Sequence, residues 1–220
     1  MFINPKTNPV DRTSLSVAFT VGLYGAAFGA AGVTAGFSIL QTCLLSLLLF
    51  SGASQFAVVG IMGAGGSAIS AIATATLLGF RNALYGIQMA PILKVKGLKR
   101  ILSAQITIDE STAVSTLQEN DSDRRRGFYV TGIGVYVFWN LFTYLGALGA
   151  SAIGDPAAWG LDAAVPAAFC GLVWPRIKKK REFLITAAAI ALALLLTPIA
   201  PAGVPIITTV ILAVIFGWKK

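Results

Sequence analysis

A long, mostly apolar stretch from Ser14 to Leu93 is the feature that most constrains how this chain can fold. Of the 220 residues, 56% are hydrophobic and only 12% are charged, whereas about 25% of the residues in an ordinary soluble domain are charged. Repeated apolar stretches of this length are typical of membrane-spanning helices. The sequence therefore predicts an all-α integral membrane protein, folded as a polytopic helical bundle of about seven apolar segments.

The apolar segments follow one another along the chain with polar loops between them. They cover approximately residues 14–35, 37–62, 67–93, 127–152, a short fifth segment ending at Pro175, then 182–196 and 204–218. The stretch 94–126 is too polar to span and is predicted to be a cytoplasmic or interfacial connector. Residues 1–220 are thus predicted to form a single transmembrane transporter domain.

Basic residues occur in short clusters between the apolar segments, which is typical of cytoplasmic loops. The clusters are Lys94–Arg100, Arg124–Arg126, Arg176–Arg181 and Lys219–Lys220. We therefore attribute the net charge of +8 to membrane orientation and not to a nucleic-acid partner. If the first three segments all cross, the N-terminus lies outside. The alternative is a re-entrant second segment with the N-terminus inside.

With the N-terminus outside, residues 14–93 and 127–198 would run in opposite senses, as in an inverted 3+3 repeat with one extra helix. In such transporters, interrupted segments at corresponding positions indicate the substrate site. Segment two carries a polar interruption, and the short segment five contains Asp162 and Pro166. The two segments correspond in this arrangement.

The interruption in segment two consists of Ser51, Gly52, Ser54 and Gln55. In a bilayer, a broken helix is tolerated only where its backbone is buried in protein or lines a wet cavity. The alternative is close helix packing, because Gly, Ala and Ser let helices approach one another. We expect a broken helix that contributes these residues to a substrate site.

Arg81 and Asn82 lie at the centre of segment three, and Asn140 lies near the centre of segment four. An arginine at that depth is costly unless it is paired or hydrated, and it usually faces a cavity. We expect Arg81 to be paired in the interior with Asp162, or failing that with Asp109 or Glu110.

Asp109 and Glu110 fall on the apolar stripe of a helical pattern within residues 101–120. Carboxylates on that face point toward the protein or the membrane interface, although a solvated kink is an equal alternative. Together with Asp162, they are the candidate carriers of a coupled proton.

The chain contains no histidine, which excludes His-ligated metal sites and His-based catalytic triads. No nucleophile is matched with a base, so no catalytic residue, metal or cofactor is predicted. An intramembrane enzyme is therefore a weak alternative to a transporter. A channel or membrane scaffold is the other alternative.

Four motifs occur in an order and spacing that resembles the AzlC family of branched-chain amino-acid permeases. They are FSGASQFA (50–57), LGFRNALYGIQMAP (78–91), IDES (108–111) and IGDPAAWGLDAAVPAAF (153–169). The resemblance implies a multi-pass exporter in the cytoplasmic membrane that works with a small membrane subunit, AzlD. The chain departs from the family at Asn82, where many relatives have histidine, and at Ile108, where threonine is expected.

An apolar amino acid is the substrate that this resemblance implies, and its zwitterion needs two kinds of partner. Backbone N–H groups at residues 52–55 and the Arg81 guanidinium can serve the carboxylate. Freed backbone carbonyls, Gln55 or Asp162 can take the ammonium. Rows of small residues on segments one and three also predict packing surfaces, one of them for the AzlD-like subunit.

Overall fold

The fold is described by a computed structural model covering residues 8–153, 164–174 and 177–218. Every regular element in these ranges is an α-helix, as the sequence predicts. In chain order they are α1 (Pro9–Gly22), α2 (Tyr24–Thr34), α3 (Ile39–Leu48), α4 (Gly52–Gly63), α5 (Ala68–Leu93), α6 (Leu98–Gln105), α7 (Asp109–Thr116), α8 (Asp121–Ala152), α9 (Ala164–Val173), α10 (Lys180–Leu196) and α11 (Val204–Trp218).

Two long parallel rods, α1–α2 and α8, form the centre of the molecule. Leu23 joins α1 to α2 in a helical conformation, so the first rod is in effect one helix of 26 residues. Val10 lies beside Gly127 near the start of both rods, and Gly29 lies beside Thr143 further along them. The glycines let the two backbones approach closely, because a Cβ at either position would meet its neighbour.

The start of α1, the end of α5 and the start of α8 lie together at one end of the molecule. Arg126 donates two hydrogen bonds to Asp11, both at 2.6 Å. The neighbouring Arg125 donates to the Ile92 carbonyl at 2.8 Å. We call this end, which holds Arg124–Arg126, the basic end, and the opposite end the far end. Helix α5 therefore runs antiparallel to both rods.

Helices α3 and α4 form a hairpin that enters the bundle from the far end. Thr42 lies beside Gly32, and Gly63 returns to lie beside Ala35, both near the end of α2. Between these points the chain turns at residues 49–51, and Gly52 lies against Trp139 in the middle of α8. We call α3–α4 the first hairpin and residues 49–51 the first tip.

Helices α6 and α7 form a second hairpin that enters from the basic end. The Ser103 and Tyr129 hydroxyls lie 3.0 Å apart. Ile106 lies beside Gly132, and Val114 has returned to Gly127. Residues 106–108 form the second tip. The tips meet inside the bundle, where Gln105 Nε2 donates to the Leu47 carbonyl at 3.0 Å.

This arrangement favours one of the two topologies that the sequence left open. The second segment folds back as a hairpin, as a re-entrant segment does, and the start of α1 lies at the same end as the basic cluster at Arg124–Arg126. The stretch 94–126, predicted to be a cytoplasmic or interfacial connector, supplies the second hairpin. Its polar residues reach the interior because they bond to each other's backbone, as Thr107 does to the Ser103 carbonyl at 2.7 Å.

Two helix-plus-hairpin units run in opposite senses through the described part of the chain. The first is α1–α2 with the first hairpin, and the second is α5 with the second hairpin. This pairing differs from the predicted halves at 14–93 and 127–198. That repeat stays a prediction, because Asp162 lies outside the described residues.

The surface of the described helices is strongly apolar. Ile69 is 80% exposed and Ile87 is 73% exposed on α5, and α10 has no buried residue. Two helical stretches in the described ranges are both long and apolar enough to cross a membrane, namely 9–34 and 121–152. The first and second hairpins are half-length, which suits elements that enter a bilayer and leave by the same side.

Candidate substrate site between the two hairpin tips

A central cavity of about 140 Å³ lies where the two tips meet the rods and α5. A cavity of about 150 Å³ is large enough for a molecule the size of benzene. Its polar lining consists of Ser51, Gly52, Arg81, Asn82, Asp109 and Glu110. Its apolar lining includes Val21, Tyr24, Phe50, Phe56, Val135 and Trp139. The site is therefore apolar on one side and charged on the other.

An ion pair closes the charged side of the cavity. Arg81 Nη1 lies 2.8 Å from Asp109 Oδ2, and the two side chains are 33% and 25% exposed. Arg81 Nε is enclosed and has no hydrogen-bond partner among the described residues. The predicted interior pairing of Arg81 is thus seen with Asp109, one of its two alternative partners. The preferred partner, Asp162, lies outside the described residues.

Helix α4 begins at the cavity with an open N-terminus. Ser51 is extended (φ −155°, ψ 101°) and its side chain makes no capping hydrogen bond. The first turn of α4 therefore lacks the side-chain cap that Ser38 gives α3 and Ser67 gives α5. Free N–H groups and the helix dipole make such an end favourable for an anion.

Gly52 is required by the close approach of the tip to α8. A Cβ at this position would lie 3.1 Å from Trp139 Cη2, closer than ordinary van der Waals contact. A side chain at this position would therefore require the Trp139 indole to shift by a few tenths of an ångström.

The carbonyl groups freed at the first tip already accept side-chain hydrogen bonds. Gln105 Nε2 donates to Leu47 and to Leu48, the latter at 3.3 Å. The Tyr136 hydroxyl also donates to Leu47, at 3.1 Å, and Gln55 Nε2 donates to Leu49 at 2.6 Å. These carbonyls were expected to be available for the substrate ammonium, and instead they hold the tip together.

Gln55 is fully buried and uses both ends of its amide within the protein. Its Nε2 donates to the Leu49 carbonyl, and its Oε1 accepts from Trp139 Nε1 at 2.9 Å. The residue therefore connects the first tip to α8 and fixes the orientation of the Trp139 ring. It lies behind the cavity wall and does not line it.

Ser54 and Asn140 also lie away from the cavity. Ser54 is fully buried and donates to the Ala75 carbonyl at 2.9 Å, which fastens α4 to α5. Asn140 Nδ2 donates to the Tyr136 carbonyl at 2.7 Å. The structure thus brings Ser51, Gly52, Arg81 and Asn82 together with the acidic pair, and places Ser54, Gln55 and Asn140 outside.

Sequence reasoning missed the aromatic side of the site. Phe28 and Phe56 pack edge to face at 5.6 Å between ring centroids, and Phe56 packs against Trp139 at 6.5 Å. A tryptophan near the centre of segment four was a usable signal, because a buried indole N–H needs an acceptor. Gln55 was the available acceptor.

The described ranges contain no group of three or more side chains able to hold a metal ion. Two opposed hairpins thus meet at a small cavity that holds an ion pair, within a helical fold whose described surface is strongly apolar. Irregular backbone at this depth is tolerated because it lines that cavity and is bonded within the protein.

The AzlC protein family matches residues 16–153, which include both hairpins and the whole described lining of the cavity. The chain belongs to the AzlC family.

Related proteins are also described as membrane proteins. An uncharacterized membrane protein of Archaeoglobus fulgidus is 32% identical over 199 residues, covering 89% of this chain and 84% of that protein. The inner membrane protein YgaZ of Escherichia coli is 28% identical over 194 residues, covering 83% and 75%. No solved structure matches the chain.

Proposed function

We propose that this protein is a secondary transporter that exports branched-chain or other apolar amino acids across the cytoplasmic membrane. The observation that carries the proposal is the central cavity, where an open helix N-terminus and an ion pair face an aromatic and aliphatic wall. Membership of the AzlC family supports a role in membrane transport.

A zwitterion with an apolar side chain matches the groups that line this cavity. Its carboxylate accepts from the N–H groups at Gly52–Ser54 and from Arg81. Its ammonium lies beside Asp109 and Glu110, and its side chain packs against Phe56 and Trp139. Because Arg81 and Asp109 already bind each other, the substrate replaces each partner with one of its own charges.

The two hairpins supply a gate on each side of the proposed site. The positive-inside rule places the basic end in the cytoplasm, so the second hairpin closes the inner side and the first closes the outer side. The remaining apolar segments cross the membrane around them. The proton gradient or the membrane potential drives transport, with Asp109, Glu110 or Asp162 carrying the proton.

The proposal includes a small AzlD-like subunit. The surface of this chain available to contact it is smaller than the rows of small residues in the sequence indicated. The small residues of segment one pack on α8, where Gly22 and Gly25 lie beside Phe138 and Trp139. On α5, Ala71 and Ala75 are buried, whereas Ala83 and Ala90 are exposed. The exposed half of α5 that lies toward the basic end is therefore the proposed contact surface for the subunit.

Flux of labelled leucine, isoleucine, valine and methionine from liposomes tests the proposal, with and without the subunit. A transporter gives saturable, stereoselective flux. Flux without saturation, together with ionic conductance, would indicate a channel. Saturable flux of an unrelated small solute, or accumulation inward, would indicate an importing permease of another class.

A further inference from the structure

Four buried hydroxyl groups lie between the central cavity and the basic end without a hydrogen-bond partner in the described ranges. They belong to Ser14 on α1, Thr112 and Ser115 on α7, and Thr131 on α8. Ser14, Ser115 and Thr131 are completely buried, and Thr112 is 4% exposed. We call this set the hydroxyl junction.

Packing contacts place the four residues at neighbouring levels of one three-helix junction. Val10 and Val114 both lie beside Gly127. Ser14 is one turn beyond Val10, and Thr131 is one turn beyond Gly127 on the parallel rod.

Helix α7 runs the opposite way along the same junction. Ile108, the residue immediately before α7, belongs to the same hydrophobic cluster as Ala18 and Val135. Thr112 therefore falls at the level of Ser14 and Thr131, between the Ile108 level and the Val114 level. Ser115 lies one residue beyond Val114, nearer the basic end.

Some buried hydroxyls elsewhere in the fold donate to a nearby backbone carbonyl. Thr107 donates to the Ser103 carbonyl at 2.7 Å, and Thr42 donates to the Ser38 carbonyl at 3.0 Å. A buried hydroxyl left without any partner costs about 1–3 kcal/mol. Four such groups lie at neighbouring levels of one junction, and a polar site of this kind is where buried water is found.

The hydroxyl junction connects the cavity to the basic end. Thr112 is three residues along α7 from Asp109, a rise of about 4.5 Å, and Ser115 is about 9 Å away. Ser14 is three residues along α1 from Asp11, which is bound to Arg126. Arg81 and Glu110 are the other charged groups near Asp109, and among the described residues no charged side chain lies between the two ends.

We propose that Ser14, Thr112, Ser115 and Thr131 hold a buried water chain that conducts protons between the basic end and Asp109. Each water or hydroxyl accepts one proton and passes one on, so only O–H bonds form and break. The proton that enters from hydronium is finally held on the Asp109 carboxylate, which then releases Arg81 to the substrate. The proton-conducting role rests on the proposed transport function, whereas the presence of water does not.

The direction in which Thr131→Val changes the melting temperature tests whether the hydroxyl junction holds water. Thr131→Val keeps the side-chain shape and removes the hydroxyl. If the junction holds water, this variant lowers the melting temperature in detergent, because the water loses a partner, and Thr131→Ser recovers part of the loss, because it keeps the hydroxyl but lacks the buried methyl group. If the junction is dry, Thr131→Val raises the melting temperature by removing an unpaired hydroxyl, and the proposal is overturned.

Proton movement tests the pathway in liposomes that contain a pH-sensitive dye. We expect Thr112→Val with Thr131→Val to slow leucine-coupled proton flux about tenfold, while leucine counterflow exchange stays near the wild-type rate. The matched control is Thr74→Val, because Thr74 is also fully buried and unpartnered but lies on α5 toward the far end.

Three other results have defined meanings. Unchanged proton flux in the double variant overturns the pathway. Loss of sodium-driven flux in place of proton flux means that the hydroxyls bind sodium, which also overturns it. If wild-type protein moves no amino acid, the proposed function fails and the conducting role fails with it, while the melting temperatures still decide whether water is present.

Discussion

At the scale of single residues, the ion pair between Arg81 and Asp109 dominates the chemistry of the cavity. Both side chains are partly withdrawn from solvent, so their pairing contributes to the stabilisation of each charge. The 2.8 Å separation between Arg81 Nη1 and Asp109 Oδ2 therefore leads to a test of their coupling.

Arg81→Gln or Asp109→Asn alone should destabilise the protein by about 1–3 kcal/mol, because each removes one partner of a partly buried ion pair. The double variant should lose less than the sum of the two single losses. Thermal unfolding in detergent measures this cycle. Arg126→Gln is the control, since its exposed pair with Asp11 should contribute below about 1 kcal/mol. Additive losses, with coupling appearing between Arg81 and Asp162 instead, would contradict the pair.

The predicted site residues divide into those that line the cavity and those that lie behind its wall. Cysteine labelling can separate the two groups. With Cys43 and Cys170 replaced by alanine, cysteines at Ser51 and Asn82 should react with a water-soluble thiol reagent and be protected by leucine. Cysteines at Ser54 and Gln55 should stay inert, because both native side chains are fully buried. Equal reactivity at all four positions would contradict the assigned lining.

At the scale of elements, the first hairpin is held in its bent form by side chains from neighbouring elements and from its own helix α4. Gln105, Tyr136 and Gln55 satisfy the carbonyl groups that the break in the helix leaves free. Trp139 in turn depends on Gln55 for its indole hydrogen bond. The tip and α8 therefore behave as one unit.

Trp139→Phe should weaken both stability and transport, because it leaves the Gln55 carbonyl unsatisfied at a cost of about 1–3 kcal/mol. Because phenylalanine is smaller than tryptophan at this buried position, lost packing adds to the effect, and the hydrogen bond is isolated only by a cycle. A double-mutant cycle with Gln55→Met, read by thermal unfolding, should give a positive coupling energy. Phe138→Leu on the neighbouring position of α8 serves as the packing control. Independent effects of Trp139 and Gln55 would show that the hydrogen bond does not fix the ring.

At the scale of the whole molecule, the re-entrant first hairpin determines which loops share a side of the membrane. Leu40 and Ala64 lie near the two ends of that hairpin and should be labelled as cysteines from the same side. Lys96, which precedes the second hairpin, should be labelled from the other side. A membrane-impermeant thiol reagent on intact cells and inverted vesicles makes the measurement. Labelling of positions 40 and 64 from opposite sides would mean that segment two crosses.

The sequence by itself determined the helical class, the membrane setting and the place of the break near Ser51 and Gly52. It did so because apolar run length and polar interruptions are local properties of a chain in a bilayer. It also indicated that Arg81 needs an interior partner, since the cost of a lone charge at that depth is independent of the fold.

Only the tertiary structure decided which residues face the cavity and which stand behind it. Ser51 and Ser54 have the same side chain, yet the Ser54 hydroxyl donates a hydrogen bond to the Ala75 carbonyl, whereas Ser51 lines the cavity. Charge composition makes Asp109 and Asp162 equally suitable for Arg81, and the second hairpin brings Asp109 within 2.8 Å. Partner choice depends on distances between segments far apart in the chain, which the pattern within any one segment does not contain.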